Sequence, residues 1–507
     1  MSLREVSVGL NKVGTQGVFD PRLRRDGYPL NSGNMQMALD DCYSWAVQNN
    51  EAPKGHFDRH EKQVPDGAKI GRVDYLIQEV GIFSSSGAYP TSTAPRIVQQ
   101  ALTYRHSIMT PHVLPVNNYV NPYLQAWLPM SMGDRALFPA LLSSSLSHQR
   151  INDLLTGRAF PTPNKNAESI LQACYKETIG AINDALRDPR RATTDATILA
   201  VLMTVEKPVF ESSREWSQES PFLASLQSLQ WLSVHSAREP EIAHQDGLCK
   251  IIHLRGGLAS IETPGVAAAA FYRVLVNATL SISFPSLPFF SLSGKDKQAI
   301  KEVNTNDPTS ADSRRDFLHE AGLIPAVASV FQELADYTIS IESYTRGDSL
   351  RLDAQTMCDR RNLVQYNLMS IPPISGSRLE DAVSEICRIG VIIYSIGVTF
   401  PLAGVGAPFG ILVRLLKAEL QKSKVLEIDP LPPATSHLLL WALTMGGIAA
   451  LDKPERPYLT TALFNVISRF KLTQWKDMKV QYGEKEEAGL FDAAETLRSM
   501  QAEEGSM

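Results

Sequence analysis

EICRIGVIIYSIGVTFPL, residues 385–402, is the stretch whose reading decides the fold, together with QYNLMSIPP (365–373) before it and LLLWALTMGGIAALDKPERPYLTTAL (438–463) after it. Apolar residues dominate the two longer pieces over more positions than a strand of ordinary length uses, and each of the three has a break written at its end. Each therefore reads as a core helix, closed at its end by Pro or by paired Gly, which cannot continue a helix or readily leave it. Working outward, Leu412, Leu415, Leu416 and Leu420 recur at helical spacing, with Arg414, Lys417 and Glu419 on the opposite face. Leu323, Ile324, Val327, Val330, Phe331, Leu334 and Ile341 trace a long helix upstream. A last helix is expected from Pro457, burying Leu459, Leu463, Val466, Ile467 and Phe470.

The N-terminal half follows the same rule. A helical stripe starts at Pro95 with Val98, Ala101 and Leu102, and another starts behind Asp134 with Leu137, Phe138, Leu141 and Leu142. Further stripes run through Ile170, Leu171, Cys174, Ile179, Ile182 and Leu186, and through Ile198, Leu199, Leu202 and Val205 behind a Thr194-Asp195 start. Leu248, Ile251 and Ile252 lead to Gly256-Gly257, which predicts a helix ended by a left-handed glycine. Period-two strands do not alternate with these helices, and no repeat of solenoid length occurs. The fold class is mainly α, a large multi-helix, bundle-like domain.

The expected organisation has three parts. Residues 1–92 are rich in Gly, Asn, Asp and Ser and read as a disordered polar arm with one short helix near 37–47. Residues 93–480 form the helical domain, interrupted by a long surface loop at about 285–316 that contains Pro285, Pro288 and the polar run KEVNTNDPTSADSRRD. Residues 481–507 are an acidic tail.

Composition narrows the chemistry. In 507 residues the net charge is -5, which argues against a broad basic surface for nucleic acid. The five cysteines, Cys42, Cys174, Cys249, Cys358 and Cys387, are scattered with no C-x-x-C spacing, so they read as reduced, mostly buried thiols in a nuclear or cytosolic protein. The N-terminus has neither a signal-peptide core nor a transit-peptide pattern.

Sites suggested by spacing give way to plainer readings. The uncharged segment 389–413 is long enough to cross a bilayer, but Pro401, Gly404, Gly406, Pro408 and Gly410 break it, so it reads as a core helix followed by a loop. Gly404-x-Gly406 imitates a dinucleotide turn, yet the third glycine would fall at Phe409 and no βαβ unit surrounds it. His56 and His60 sit one helical turn apart without the Glu that follows the first His in a zinc protease, and read as solvated. Arg22, Arg24 and Arg25 read as a solvated turn, and the six tryptophans do not interleave with basic residues. Asp184 and Glu385 read as helix-surface or capping charges. No nucleophile elbow, phosphate loop or kinase signature is present. The sequence assigns no catalytic, cofactor-binding or metal-ligating residue and no DNA contact.

In order and wording, the three opening pieces, with NPYLQAWLPMSMGDRALFPALLSSSLSH (121–148), TTDATILAVLMTVE (193–206) and HQDGLCKIIHLRGGLASI (244–261), resemble the fungal-specific transcription factor domain. The HxxGL…LRGGL piece carries most of that likeness. The resemblance implies a helical regulatory domain in a nuclear transcriptional regulator and no enzymatic activity. In that family DNA is held by a separate binuclear zinc cluster of six cysteines near the N-terminus, whereas the arm here holds only Cys42. The resemblance therefore implies action through protein partners, either coregulators or a related zinc cluster factor, as a homodimer or heterodimer. The competing expectation is a helical small-molecule-binding protein or an enzyme without a recognisable motif.

Overall fold

Apolar stripes at a 3.6-residue period oblige each helix to find neighbours, and here they are found around one continuous core. The computed structural model describes residues 89–115, 121–157, 165–208, 220–222, 224–302, 308–348 and 351–469. Its helices are α1 (Pro95–Tyr104), α2 (Thr110–Val113), α3 (Leu128–Gly133), α4 (Leu137–Leu155), α5 (Lys165–Arg187), α6 (Asp195–Leu202), α7 (Leu232–Ser236), α8 (Ile242–Arg255) and α9 (Val266–Leu280). They continue as α10 (Lys297–Glu302), α11 (Pro308–Glu320), α12 (Pro325–Arg346), α13 (Ala354–Met369), α14 (Leu379–Tyr394), α15 (Phe409–Ser423), α16 (Pro433–Ala449) and α17 (Arg456–Arg469). Among the described residues there is no β-strand, only an isolated bridge between Glu206 and Pro240. The fold is mainly α.

In the first half α4 packs against α1, α5 and α6, and α6 against α8; in the second, α14 packs on α15 and α16, and α16 on α17. Contacts of α9 with α13 join the halves, and one large apolar core runs through both, from Val98 to Ile467, beside a small second cluster of Ile151, Val234 and Ala237. Local signals place the helix ends. Asp134 Oδ1 accepts the N–H groups of Ala136 (2.8 Å) and Leu137 (2.9 Å), which fixes the entry to α4. Thr194 caps α6 through the N–H of Thr197. Helix α8 ends as the paired glycines predict: Gly256 is left-handed (φ 109°), and the N–H groups of Gly256 and Gly257 close on the carbonyls of His253 and Ile252.

Several expectations change. The expected loop at 285–316 contains α10 and most of α11. Pro308 opens α11, a position where its missing N–H costs nothing, and the helix turns inward both Leu318 and Arg314, which meets Asp336 at 2.6 Å. A buried arginine on an otherwise polar helix leaves no apolar stripe to read. Gly446-Gly447 does not end α16 but lies inside it, and the turn comes later, after Ala449. The flank of Gly446 is filled by the Leu416 side chain of α15. Leu186 and Leu415, expected to face inward, are 39% and 42% exposed, at the margins of their stripes.

Segment 389–413 is the end of α14, a π-helical turn (Ser395–Thr399), a loop and the start of α15. The membrane-length helix it overlaps, Leu379–Thr399, is 89% buried inside the protein over its most apolar window, as expected for a core helix. The arm's last residues are anchored on the domain: Tyr89 stacks on Phe138 with ring centroids 5.7 Å apart, and the backbone N–H of Ser92 donates to Glu177 (3.0 Å). The rest of the arm, with the expected helix near 37–47, Arg22, Arg24, Arg25, Cys42, His56 and His60, lies outside the described residues, as do Phe470 and the acidic tail.

Candidate functional site

A cluster of buried polar residues lies inside the first half and is joined across to the second through Arg361. Two extended segments flank the bridge, with the N–H of Lys207 donating to Glu239 (2.9 Å) and the N–H of Glu241 to Val205 (2.8 Å). They hold Glu206, just past α6, against Arg238, just past α7. Glu206 is 3% exposed and pairs with both Arg238 and Arg273, the latter on α9. Arg238 also donates to the Glu206 carbonyl (3.2 Å). Beside them His235 and His148 lie edge to face, 5.8 Å between centroids, and His148 shares a 2.8 Å hydrogen bond with Tyr104. Among the described residues Arg105 reaches no carboxylate. It donates to Ser144 (2.8 Å), Ser145 (3.3 Å) and the Leu141 carbonyl, and lies over the Tyr123 ring.

A turn in rare conformation closes the other side. Gln230 and Trp231 are consecutive left-handed residues (φ 55° and 54°), which costs of order 1–3 kcal/mol each without glycine. They are held by what they touch. Arg361 of α13 donates to Gln230 Oε1 (2.6 Å) and to the Leu229 carbonyl (2.8 Å), Asn362 donates to Gln230 Oε1 (3.0 Å), and Tyr272 donates to the Gln230 carbonyl (3.2 Å). The Trp231 indole donates to the Met109 carbonyl (2.9 Å) and its ring stands against His148. Above this turn Gln365 donates to Thr279 (3.1 Å) and accepts from Ser395, joining α9, α13 and the π-helical turn.

Burial sets the charge states. Desolvation pulls Arg238 and Arg273 down to about 9 and Arg105 to about 10, which leaves all three charged at neutral pH. It pushes His148 and His235 well below the usual histidine value, helped by neighbouring arginines. Glu206 stands 3.5 Å from His235 and would favour the imidazolium, but its carboxylate is already engaged by two guanidinium groups, so burial and Arg238 prevail. The imidazoles are neutral and the centre carries a surplus of positive charge.

This centre holds no activated nucleophile. Burial raises the Cys358 thiol to about 12 and those of Cys174 and Cys249 to about 11, and Cys387 is raised as well. Among the described residues no group of three or more His, Cys, Asp or Glu side chains is placed to hold a metal. The cavity beside Gln230, Tyr272, Arg273 and Asn362 has a volume of about 20 Å³, room for one water-sized species.

Apart from the cysteines, of which Cys174, Cys358 and Cys387 are buried as expected, the sequence singled out none of these residues. Their only signal is position: His148 and Glu206 each end an apolar piece, where a lone polar residue looks like the start of a loop. Of the acids it did single out, Asp184 is exposed and pairs with Arg187 on its own helix, as expected. Glu385 is instead buried, doubly bonded to Arg388 (2.8 and 2.7 Å) and accepting the N–H of Ile374 (2.8 Å). It ties the segment after QYNLMSIPP to α14.

The LRGGL piece also has a structural task. Arg255 pairs with Asp195 (2.7 Å) and donates to the carbonyls of Thr193 (2.8 Å) and Ser260 (3.1 Å), while Asp195 accepts the N–H groups of Glu262 and Thr263. The start of α6 is thereby bolted to the turn after α8, and Gly256-Gly257 is a helix stop.

A family model described as the fungal specific transcription factor domain matches residues 102–478. That span contains the whole buried centre. No curated protein and no solved structure matches the chain.

Proposed function

Because the chain belongs to the fungal specific transcription factor domain family, we propose that it regulates transcription by presenting this helical domain to protein partners in the nucleus. The family is one of transcriptional regulators that work in general in the nucleus, and it is not a known enzyme family. The observation that carries the reading is the extent of the match, which takes in both halves of the core and the segments that join them. The partners fitting the reading are coregulators or a related zinc cluster factor. In support of recruitment over direct DNA contact, the net charge is -5 and the five cysteines nowhere approach the spacing of a zinc cluster.

Chromatin immunoprecipitation of the tagged protein from growing cells, at low and high salt, tests the reading. Discrete promoter peaks are expected. A protein that is expressed, cytosolic and without peaks would sink it. The partner-mediated part has its own test, since in-frame genomic DNA encoding six closely spaced cysteines upstream would make direct DNA binding the better account.

A further inference from the structure

We propose that the cavity beside Gln230, Tyr272, Arg273 and Asn362 binds a single halide-sized anion that neutralises part of the buried arginine cluster. This inference stands apart from the transcriptional reading and rests on charge, space and backbone conformation.

The charge is out of balance. Arg105, Arg238 and Arg361 are 5% exposed or less, and the Arg273 side chain is 13% exposed. The carboxylate among them is Glu206, which takes Arg238 and Arg273. The hydrogen-bond acceptors of Arg361 are neutral, namely the Leu229 carbonyl and the side chains of Gln230 and Asn362. Those of Arg105 are hydroxyls, a carbonyl and thioether sulfurs. Asp359, the nearest acid on α13, is turned to the backbone N–H groups of Leu292 (2.6 Å) and Ser293 (2.9 Å). His148 and His235 add no charge. A buried cation without a counter-ion is costly, and a cluster of them more so.

The space matches one class of ligand. At about 20 Å³ the cavity admits a water or a halide and excludes phosphate or a carboxylic acid metabolite. Its polar lining is Gln230, Tyr272, Arg273 and Asn362, and its apolar wall includes Ala269 and Leu292. The amide N–H groups of Gln230 and Asn362 and the guanidinium of Arg273, the arginine of the cluster that reaches it, are able to donate, the Tyr272 hydroxyl being given to the Gln230 carbonyl. Water could satisfy the donors but would leave the charge. The left-handed Gln230 sets its amide on this wall at a conformational cost, the kind of local strain that collects at binding sites.

The test is thermal unfolding of the full chain at one ionic strength in sodium chloride, bromide or gluconate. Chloride and bromide should raise the midpoint by about 3 °C once well above their dissociation constant, climbing with the logarithm of concentration, while gluconate should not. Gln230→Glu retains the oxygen that accepts from Arg361 and Asn362 and supplies a fixed negative charge. It should unfold higher than the unsubstituted protein in gluconate and lose its response to chloride. Bromide-soaked crystals should give an anomalous peak in the cavity. Equal midpoints in chloride and gluconate, or a chloride response undiminished in Gln230→Glu, would overturn the proposal, as would a cavity holding water only.

Discussion

His148 and His235 are the residues at which this core is most exposed to pH. Both are fully buried and neutral, with values far below that of an unfolded histidine. Between the folded and unfolded values the unfolded chain binds more protons, so stability rises with pH in that window and is lost as pH falls below about 6.5. Each imidazole then contributes about 1.4 kcal/mol of lost stability per pH unit. Urea unfolding from pH 7.5 to 5.0 should show this slope, and His235→Gln should reduce it by one histidine's share. Asp336 and Asp359, whose values burial raises, act with the opposite sign nearer the carboxylate range, so the difference between the two proteins isolates the histidine effect. An unchanged slope in the variant would mean that His235 is not held neutral. At this scale the sequence was legible where one residue suffices, as with Asp134, Thr194 and Gly256, because a cap is a local event. It was illegible for Arg105, Glu206, Arg238 and Arg273, whose burial depends on partners up to 98 positions away in the chain, a separation no periodic pattern records.

Helices in this core approach one another through glycine. A Cβ on Gly390 in α14 would lie 3.1 Å from Ala442 in α16, and one on Gly446 in α16 would strike the tip of Leu416. Gly406, in the loop between α14 and α15, is tighter in kind, because a Cβ there would strike the backbone carbonyl of Ser236. A side-chain tip can turn aside and a carbonyl in a packed segment cannot. Gly406→Ala should therefore destabilise the protein by about 1–3 kcal/mol, and more than Gly446→Ala. Chemical denaturation of the two variants decides it, and equal midpoints would show that the Ser236 segment yields. The consequence for Gly446-Gly447 is that a pair of glycines in an apolar run is ambiguous. It stops a helix at Gly256-Gly257 and seats a neighbouring helix at Gly446. Helix α11 was missed for the converse reason, since a helix that buries Arg314 against Asp336 carries little of the stripe by which helices are recognised.

The whole molecule is two helical halves that share a core and a polar joint. Arg361 on α13 reaches back across more than a hundred residues to the Gln230 turn, α9 lies against α13, and Gln365 links both to the end of α14. An apolar seam alone would let the halves slip with little penalty, whereas a buried guanidinium with fixed acceptors permits one register. Unfolding should accordingly be a single transition, with tryptophan fluorescence and far-ultraviolet circular dichroism giving the same midpoint. Arg361→Met removes the clasp and leaves the Leu229 carbonyl without its donor and Gln230 with Asn362 alone, a loss of about 1–3 kcal/mol. It also leaves the left-handed Gln230-Trp231 turn with less to hold it. The variant's two probes should separate, because the first half loses its tie to the second while each keeps its own apolar contacts. Coincident transitions in the variant would show that the shared apolar core couples the halves by itself and that Arg361 contributes only stability.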